Sequence, residues 1–183
     1  MSASDLTKAA IIQTTKSLMT RQPIDAIQLN TIARACGISR NTLYYHFRDK
    51  YEIVETIFTD ELLPVIRPCL TKERWTESLV LLTDHMKSNQ DFYTNALKSH
   101  GPNTMLHHLT RLYKDHFLSM MSVAPPPGLS MESREIVARF YSHAVIGMLC
   151  DWVEFGMKQD VRRAIHLISA AIENQVFHTE KPF

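Results

Sequence analysis

The stretch that decides the fold covers residues 29–47 and reads Leu29-Asn30-Thr31-Ile32-Ala33-Arg34-Ala35-Cys36-Gly37-Ile38-Ser39-Arg40-Asn41-Thr42-Leu43-Tyr44-Tyr45-His46-Phe47. Gly37 stands between two short segments with helical spacing of apolar residues, and glycine readily takes the left-handed conformation that ends a helix. Ile38 and Leu43 would anchor both sides of this turn in a small core, and Ser39 can cap the second helix. The pattern predicts a helix-turn-helix, whose second helix enters the major groove of DNA.

The outward face of that second helix is rich in hydrogen-bond donors. Opposite Leu43 it presents four side chains at helical spacing: Arg40, Asn41, Tyr44 and Tyr45. Arg40 can bind guanine through two hydrogen bonds, Asn41 suits adenine, and the tyrosines suit phosphate or a thymine methyl group. The alternative is a helical hairpin whose polar face meets only water, but such a face usually carries Lys and Glu. No acidic residue occurs between Asp25 and Asp49, which favours DNA binding.

The rest of the chain shows helical spacing of apolar residues nearly everywhere, interrupted at Pro23, at Gly37 and at the proline run 125–127. Segment 131–156 is apolar almost all round, whereas segment 160–177 has a single apolar stripe. Neither the alternation typical of β-strands nor an internal repeat is present. The sequence therefore predicts an all-α protein with about nine helices.

Composition narrows the class of protein. The chain has 183 residues, of which 45% are hydrophobic and 21% charged, so it can bury a core and is not disordered. No apolar stretch approaches the roughly 18 uninterrupted residues of a membrane span, and the N-terminus lacks the pattern of a secretory signal. Three unclustered cysteines indicate neither a disulfide framework nor a zinc site, which predicts a reduced, cytoplasmic setting.

Charge is unevenly distributed along the chain. Residues 1–50 carry seven basic and three acidic side chains, whereas the remaining residues carry thirteen basic and sixteen acidic ones. This asymmetry suggests a region that faces a polyanion, joined to a body with another role.

The run from Ile38 to Lys50, placed after one amphipathic helix and one short helix, resembles the tetracycline-repressor (TetR) family over about residues 5–62. The resemblance implies a homodimer that binds double-stranded DNA through a three-helix head, residues 1–50, joined by a fourth helix to a ligand-binding and dimerisation body, residues 51–183. The first helix departs from the family in having Thr14 and Thr15 where small alanines are usual. The DNA-binding set that follows is Gln28, Asn30, Thr31, Ser39, Arg40, Asn41, Thr42, Tyr44, Tyr45, His46 and Lys50, with Lys50 matching the family's phosphate-binding lysine.

Residues 140–157 are similar to the C-terminal region of a TetR subgroup that is common in Firmicutes and includes regulators of dihydroxyacetone kinase operons. This likeness does not transfer a ligand. Some regulators of that type activate transcription, so the direction of control stays open.

A small-molecule effector is expected in the body, since apolar side chains with a few polar groups are the usual lining of a ligand site. The candidate lining is Phe92, Met105, His108, Leu109, Phe140, His143, Ala144 and Gly147, followed by Met148. The alternative is that these residues are plain core, with His143 bonded to a neighbour or a carbonyl. His107 and His108 point in different directions on a helix, and neither a metal nor another cofactor is expected.

Helices near 131–156 and 160–177 are the candidates for the dimer contact, because two such helices from each subunit would form a four-helix interface. The alternative is that their surplus apolar surface packs within one subunit. An enzyme is not expected, since the usual catalytic and nucleotide-binding motifs do not occur. A protein-interaction adaptor built on the helix-turn-helix is the remaining alternative.

Overall fold

A computed structural model describes residues 2–123 and 128–176, and within those ranges the chain is helical without a β-strand. The prediction of an all-α fold is confirmed. Ten α-helices are described, one of them a single turn: α1 Ala3–Met19, α2 Leu29–Cys36, α3 Arg40–His46, α4 Lys50–Ile57, α5 Leu63–Ile66, α6 Trp75–Ser88, α7 Gln90–Ala96, α8 Met105–Val123, α9 Met131–Glu154 and α10 Val161–Val176. The proline run 125–127 lies outside the described residues.

The chain divides into two compact units. Unit one contains the residues up to Leu63 together with Ser88–His108, and unit two contains Pro64–Lys87 together with the residues from Leu109 onward. The predicted head, residues 1–50, lies within unit one, where it is joined by α4 and α7. The predicted boundary at residue 50 is a functional division and stays a prediction.

Helix α1 begins with a capping box. The Ser2 hydroxyl accepts a hydrogen bond from the Asp5 backbone N–H at 3.1 Å, and the Asp5 carboxylate accepts one from the Ser2 N–H at 2.8 Å. Ser2 is therefore the N-cap of α1. Further along, the buried Thr15 hydroxyl donates to the Ile11 carbonyl at 2.8 Å, which explains how a threonine is accommodated on the inner side of this helix.

The turn at Gly37 has the predicted left-handed geometry, with φ of 72°. The Gly37 N–H donates to the Arg34 carbonyl at 3.2 Å, and the Ile38 N–H donates to the Ala33 carbonyl at 3.0 Å. This pair of bonds is a Schellman motif, which satisfies the carbonyls that a helix end leaves without partners. Ser39 then caps α3 by accepting from the Thr42 N–H at 3.0 Å, as predicted.

A wide helical turn, Phe58–Leu62, separates α4 from α5, and in it the Leu63 N–H donates to the Phe58 carbonyl five residues back. Pro64 follows directly. A proline within a helix has no N–H to donate, and its ring collides with the carbonyl of the residue four positions earlier. The wider turn at Phe58–Leu62 leaves room for the ring of Pro64.

Unit two is organised around large aromatic residues on α6 and α8. The Trp75 and Phe117 rings meet edge to face at 5.3 Å, and the hydroxyls of Ser78 and Tyr113 lie 3.0 Å apart in the buried interior. Burial raises the pKa of Tyr113, because the phenolate form would lose its hydration.

Helix α9 ends in a second Schellman motif. The Gly156 N–H donates to the Val153 carbonyl at 3.0 Å, and the Met157 N–H donates to the Trp152 carbonyl at 2.9 Å. Gly156 and Met157 both have positive φ, 78° and 55°. The strain at Met157 is tolerated because its side chain is buried and its N–H is bonded.

One side of α9 is buried and the other is uncovered in the single chain. Val145, Leu149 and Trp152 are on the buried side. The uncovered side carries a stripe that we call the α9 face: Ile136, Phe140, Ala144, Gly147 and Met148. Among the described residues, α9 therefore exposes apolar side chains on the side away from the core.

By length and composition α9 also passes as a candidate membrane span, with a mean hydropathy of 1.2 over an 18-residue window that is 39% buried. The sequence prediction had excluded any such segment. A long core helix of a soluble protein meets the same criterion, so this single helix is weak evidence for a span.

Candidate nucleic-acid interface

Helix α3 is held by its buried side and presents its polar side to solvent. Leu43 and Phe47 are buried, 0% and 2% exposed, whereas Tyr45 is 80% exposed. Arg40 and Asn41 are exposed as well. The four side chains predicted to share the outward face therefore reach solvent together, and we call them the α3 face: Arg40, Asn41, Tyr44 and Tyr45.

Arg40 and Tyr44 form a preorganised pair within this face. An Arg40 Nη donates to the Tyr44 hydroxyl at 3.0 Å, and the guanidinium carbon lies 5.3 Å from the centre of the Tyr44 ring. These two contacts restrict a side chain that is otherwise flexible. Because the Tyr44 oxygen accepts from Arg40, its own O–H is available to donate to an acceptor such as a phosphate oxygen.

The remaining α3 candidates lie beside the face. The Tyr45 and His46 rings meet edge to face at 5.1 Å, and His46 is half-buried. Thr42 is also half-buried, and its hydroxyl lies 2.8 Å from that of Ser39. Ser39 and Thr42 are thus hydrogen-bonded to each other at the start of α3. Any contact that they make to DNA would come in addition to this hydrogen bond.

The start of α2 supplies three further candidates. Gln28 and Asn30 are exposed, and Thr31 is half-buried. The Gln28 side chain makes no capping hydrogen bond to α2. A helix N-terminus of this kind favours an anion such as phosphate, since its first N–H groups point outward. Because α2 packs against α3, both belong to one surface of unit one.

Lys50 has an additional structural role that the sequence did not indicate. Its ammonium donates to the Asp25 carbonyl at 2.8 Å and to the Ile27 carbonyl at 3.1 Å. The neighbouring Tyr51 hydroxyl donates to the Asp25 carboxylate at 2.7 Å, and this hydrogen bond raises the pKa of Tyr51. The first turn of α4 is therefore tied to the turn that precedes α2, and a phosphate contact by Lys50 would use its third N–H.

The basic residues of unit one do not all contribute to this surface. Lys16 forms an ion pair with Glu61 and lies 5.9 Å from the centre of the Phe92 ring. Arg48 pairs with Glu52 at 3.2 Å. Arg40 is thus the arginine that the α3 face itself presents.

The predicted effector site is not gathered into one described cavity. Phe92 and Met105 are buried and His108 stacks on Phe58 at 5.2 Å, all in unit one. Leu109 is buried in unit two. The four α9 candidates, namely Phe140, His143, Ala144 and Gly147, are exposed. His143 Nδ1 lies 2.7 Å from the Arg139 carbonyl, so this histidine is bonded to a carbonyl on the surface rather than in the core.

A cavity of about 200 Å³ lies within unit two, between α6, α9 and α10, and of the residues predicted to line an effector site Met148 belongs to it. Its apolar walls come from Leu79, Leu149, Trp152, Ile165 and Ile168. Because these walls come from three helices that are distant in the sequence, no local pattern signals the cavity. Among the described residues, no group of three His, Cys, Asp or Glu side chains is placed to hold a metal ion.

A capped helix that displays arginine, asparagine and two tyrosines beside a tight glycine turn defines a helix-turn-helix DNA-binding protein, here with a second helical unit. Residues 11–57 match the family model described as bacterial regulatory proteins, tetR family, and residues 73–174 match that of a transcriptional regulator C-terminal region. The chain belongs to the TetR family of transcriptional regulators, with a DNA-binding N-terminal region and a regulatory C-terminal region. These matches confirm the resemblance to the TetR family. Members of this family are transcription factors and not enzymes.

Several known proteins are similar to this chain. The transcriptional activator DhaS of the dhaKLM operon in Lactococcus lactis subsp. lactis (strain IL1403) is 28% identical over 93 residues, which span 51% of this chain and about half the length of that relative. The solved structure of a dihydroxyacetone kinase operon activator DhaS superposes with a TM-score of 0.61 at 18% identity, over 93% of this chain and 96% of that one. NalD of Pseudomonas aeruginosa, the secondary repressor of the MexAB-OprM efflux pump, gives 0.62 at 15% identity, over 96% and 98%. Both structural likenesses show the fold alone.

Proposed function

We propose that the protein is a cytoplasmic homodimer that binds a palindromic operator through its two α3 helices, with an affinity that a small-molecule effector changes. The observation that carries the proposal is the α3 face. It displays a restrained arginine, an asparagine and two tyrosines on one capped helix, with no acidic residue from position 26 to position 48. Bidentate arginine–guanine and asparagine–adenine contacts are the commonest means of direct base readout in the major groove.

The α9 face supports the dimer. Phe140 is 66% exposed, and Leu167 on the next helix is 64% exposed. Gly147 faces open space within 4 Å among the residues that the structure describes, so a second helix can approach closely there. Large apolar side chains that are exposed together on neighbouring helices indicate an interaction site. Two copies of α9 and α10 would cover this apolar surface in a four-helix interface, and the alternative is that it packs within one subunit.

A twofold dimer fixes the form of the operator. Its two recognition helices read half-sites about one helical turn apart, or a multiple of that distance, in inverted repeat. If the dimer neutralises about six to ten phosphates, its affinity falls about 10³–10⁵-fold between 50 and 200 mM salt.

The effector acts by linkage. A ligand that prefers a conformation in which the two heads no longer match the half-sites lowers the affinity for DNA by that same preference. The relative DhaS is described as an activator and NalD as a repressor. The direction of control in this protein is therefore a question for transcription assays with the intact operator.

The test is a fluorescence anisotropy titration of the purified protein with the DNA upstream of its own gene, at several salt concentrations. We expect specific binding, and we expect Arg40→Ala to lose discrimination at one base position in each half-site. Sedimentation at micromolar concentration is expected to give a dimer. Weak association without sequence preference would favour the adaptor alternative, and a monomer would contradict the dimer.

A further inference from the structure

The cavity in unit two has the form of a ligand site with a charged mouth. Its volume of about 200 Å³ exceeds the roughly 150 Å³ of an apolar cavity that binds benzene, so a single aromatic ring or a short alkyl chain fits. Trp152 and Leu149 form part of the wall and are buried, while Asp151 and Asp160 line the same cavity and are exposed. Phe155 and Met148 also line the cavity and are exposed, so its mouth carries apolar as well as acidic side chains.

The charged side chains at the mouth of the cavity are acidic. Asp151 and Asp160 are the two charged side chains among the residues that line the cavity in the described part of unit two. The nearby basic residues, Lys87, Lys158 and Arg162, line an adjoining polar depression that Asp160 lines as well, and there Arg162 pairs with Asp84 at 2.9 Å. Asp151 is the charged side chain that lines the apolar cavity and not the depression. Charge complementarity therefore favours a cation at the mouth of the apolar cavity.

The wall that carries these groups is fixed by hydrogen bonds. The Trp152 indole N–H donates to the Gln159 carbonyl at 2.9 Å, which ties α9 to the connection that leads into α10. One oxygen of Asp160 accepts the Arg162 backbone N–H at 3.0 Å, and this holds the carboxylate while the other oxygen stays available as an acceptor. A site held in this way loses little conformational freedom when a ligand binds.

We propose that this cavity binds a small apolar amine, with its ring or alkyl chain between α6, α9 and α10 and its ammonium group at Asp151 and Asp160. The site differs from the one expected from the sequence, which used Phe92, Met105 and His108. The inference rests on the proposed function only in one respect, that the amine would be the effector. Binding to the cavity does not require DNA.

The experiment titrates the DNA-free, full-length protein with three probes of matched skeleton: phenethylamine, 2-phenylethanol and 3-phenylpropionate. Binding is followed by tryptophan fluorescence and by ligand-detected NMR. We expect the amine to bind most tightly and the carboxylate most weakly. Each of Asp151→Asn and Asp160→Asn should weaken amine binding about threefold, the range of exposed ion pairs, and leave the alcohol unaffected. Asparagine also caps helices well, so the second variant keeps the start of α10 intact.

Two matched controls complete the design. Glu73→Gln removes an exposed acidic charge elsewhere in unit two and should leave all three affinities unchanged. Ala164→Leu fills the cavity and should abolish binding of the amine and the alcohol, whereas Ala10→Leu, the same change at an exposed site on α1, should not.

Equal or tighter binding of the carboxylate, or amine binding that survives Ala164→Leu, would overturn the proposal. Absence of binding by all three probes also overturns it, and a shift of the monomer–dimer equilibrium in Ala164→Leu would then identify a second copy of the chain as the occupant. If the amine binds as expected but operator affinity does not change, the site stands and the effector role fails.

Discussion

The α3 face and the α9 face both expose large side chains, but their chemistry differs. The α3 face combines aromatic rings with hydroxyl, amide and guanidinium groups, and two of its members are already bonded to each other. The α9 face offers Ile136, Phe140 and Met148 with the small Ala144 and Gly147 between them, and Arg139 and His143 are exposed beside them. A hydrated, charged duplex requires donors held in place, whereas a second copy of the same helix requires apolar surface and close approach. The difference between the two faces therefore indicates two different partners.

The largest effect is expected from removing the support of the α3 face while leaving its surface intact. Leu43 is fully buried, and Leu43→Ala should lower the free energy of unfolding of unit one by about 2–5 kcal/mol, since it leaves a cavity in a small core. Chemical denaturation followed by circular dichroism measures this loss. Tyr45→Ala, next but one along the same helix and exposed, is the control and should change stability by less than about 0.5 kcal/mol. Similar losses in the two variants would show that α3 is not seated as described.

The α9 face should respond to charge with a large loss of association. Phe140→Asp places a carboxylate at the same point of both copies, so the dimer dissociation constant should rise on the order of 100-fold, as for loss of a hot-spot residue. Sedimentation equilibrium measures it, and operator affinity should fall in parallel. Leu6→Asp makes a comparable change at an exposed apolar residue of α1 and should leave the dimer intact. Dissociation by Leu6→Asp, or none by Phe140→Asp, would move the interface away from α9.

The sequence predicted the α3 face better than the α9 face, and the reason is physical. Around Gly37 the local rules agree, because a turn residue, a cap at Ser39 and an apolar spacing through Leu43 all specify one geometry. In α9 apolar residues occur on every side, so the sequence does not show which of Phe140 and Val145 faces outward.

Contacts between residues that are distant in the sequence also could not be predicted from local sequence patterns. The ties from Lys50 to the carbonyls of Asp25 and Ile27 join residues more than twenty positions apart, and the unit-two cavity brings Leu79 together with Ile168. No spacing in the sequence signals either feature.

Unit two contains a buried histidine whose titration should make its stability depend on pH. His116 in unit two is buried, and its Nε2 finds no hydrogen-bond partner among the described residues. Burial lowers the pKa of His116 to about 4, because the charged ring would lose its hydration. Between that value and the ordinary one near 6.5, the unfolded chain binds more protons than the folded chain. Stability is therefore present above about pH 6.5 and is lost as the pH falls toward 4.

The expected loss from this histidine is on the order of 2 kcal/mol between pH 7 and pH 4.5. Denaturation curves at a series of pH values measure it. His116→Phe, which cannot take up a proton, should remove this part of the dependence, whereas His46→Phe in unit one should retain it. An unchanged pH profile in His116→Phe would show that the ring is charged or hydrated in the folded chain.

The smallest effect concerns a single hydroxyl and separates two tyrosines on the α3 face. Tyr44→Phe keeps the ring over which Arg40 lies but removes the oxygen that accepts its hydrogen bond, worth about 0.5–1.5 kcal/mol. Specific operator affinity should fall about two- to tenfold, and discrimination should relax at the base that Arg40 reads, because the guanidinium is less restrained. Tyr45→Phe should instead weaken all sequences alike, since no bond links its hydroxyl to Arg40 in the described structure. Anisotropy titrations against operators that vary at one position measure both effects. If Tyr44→Phe weakened every sequence equally, Tyr44 would be a phosphate contact without a positioning role, and the restraint of Arg40 would come from the ring alone.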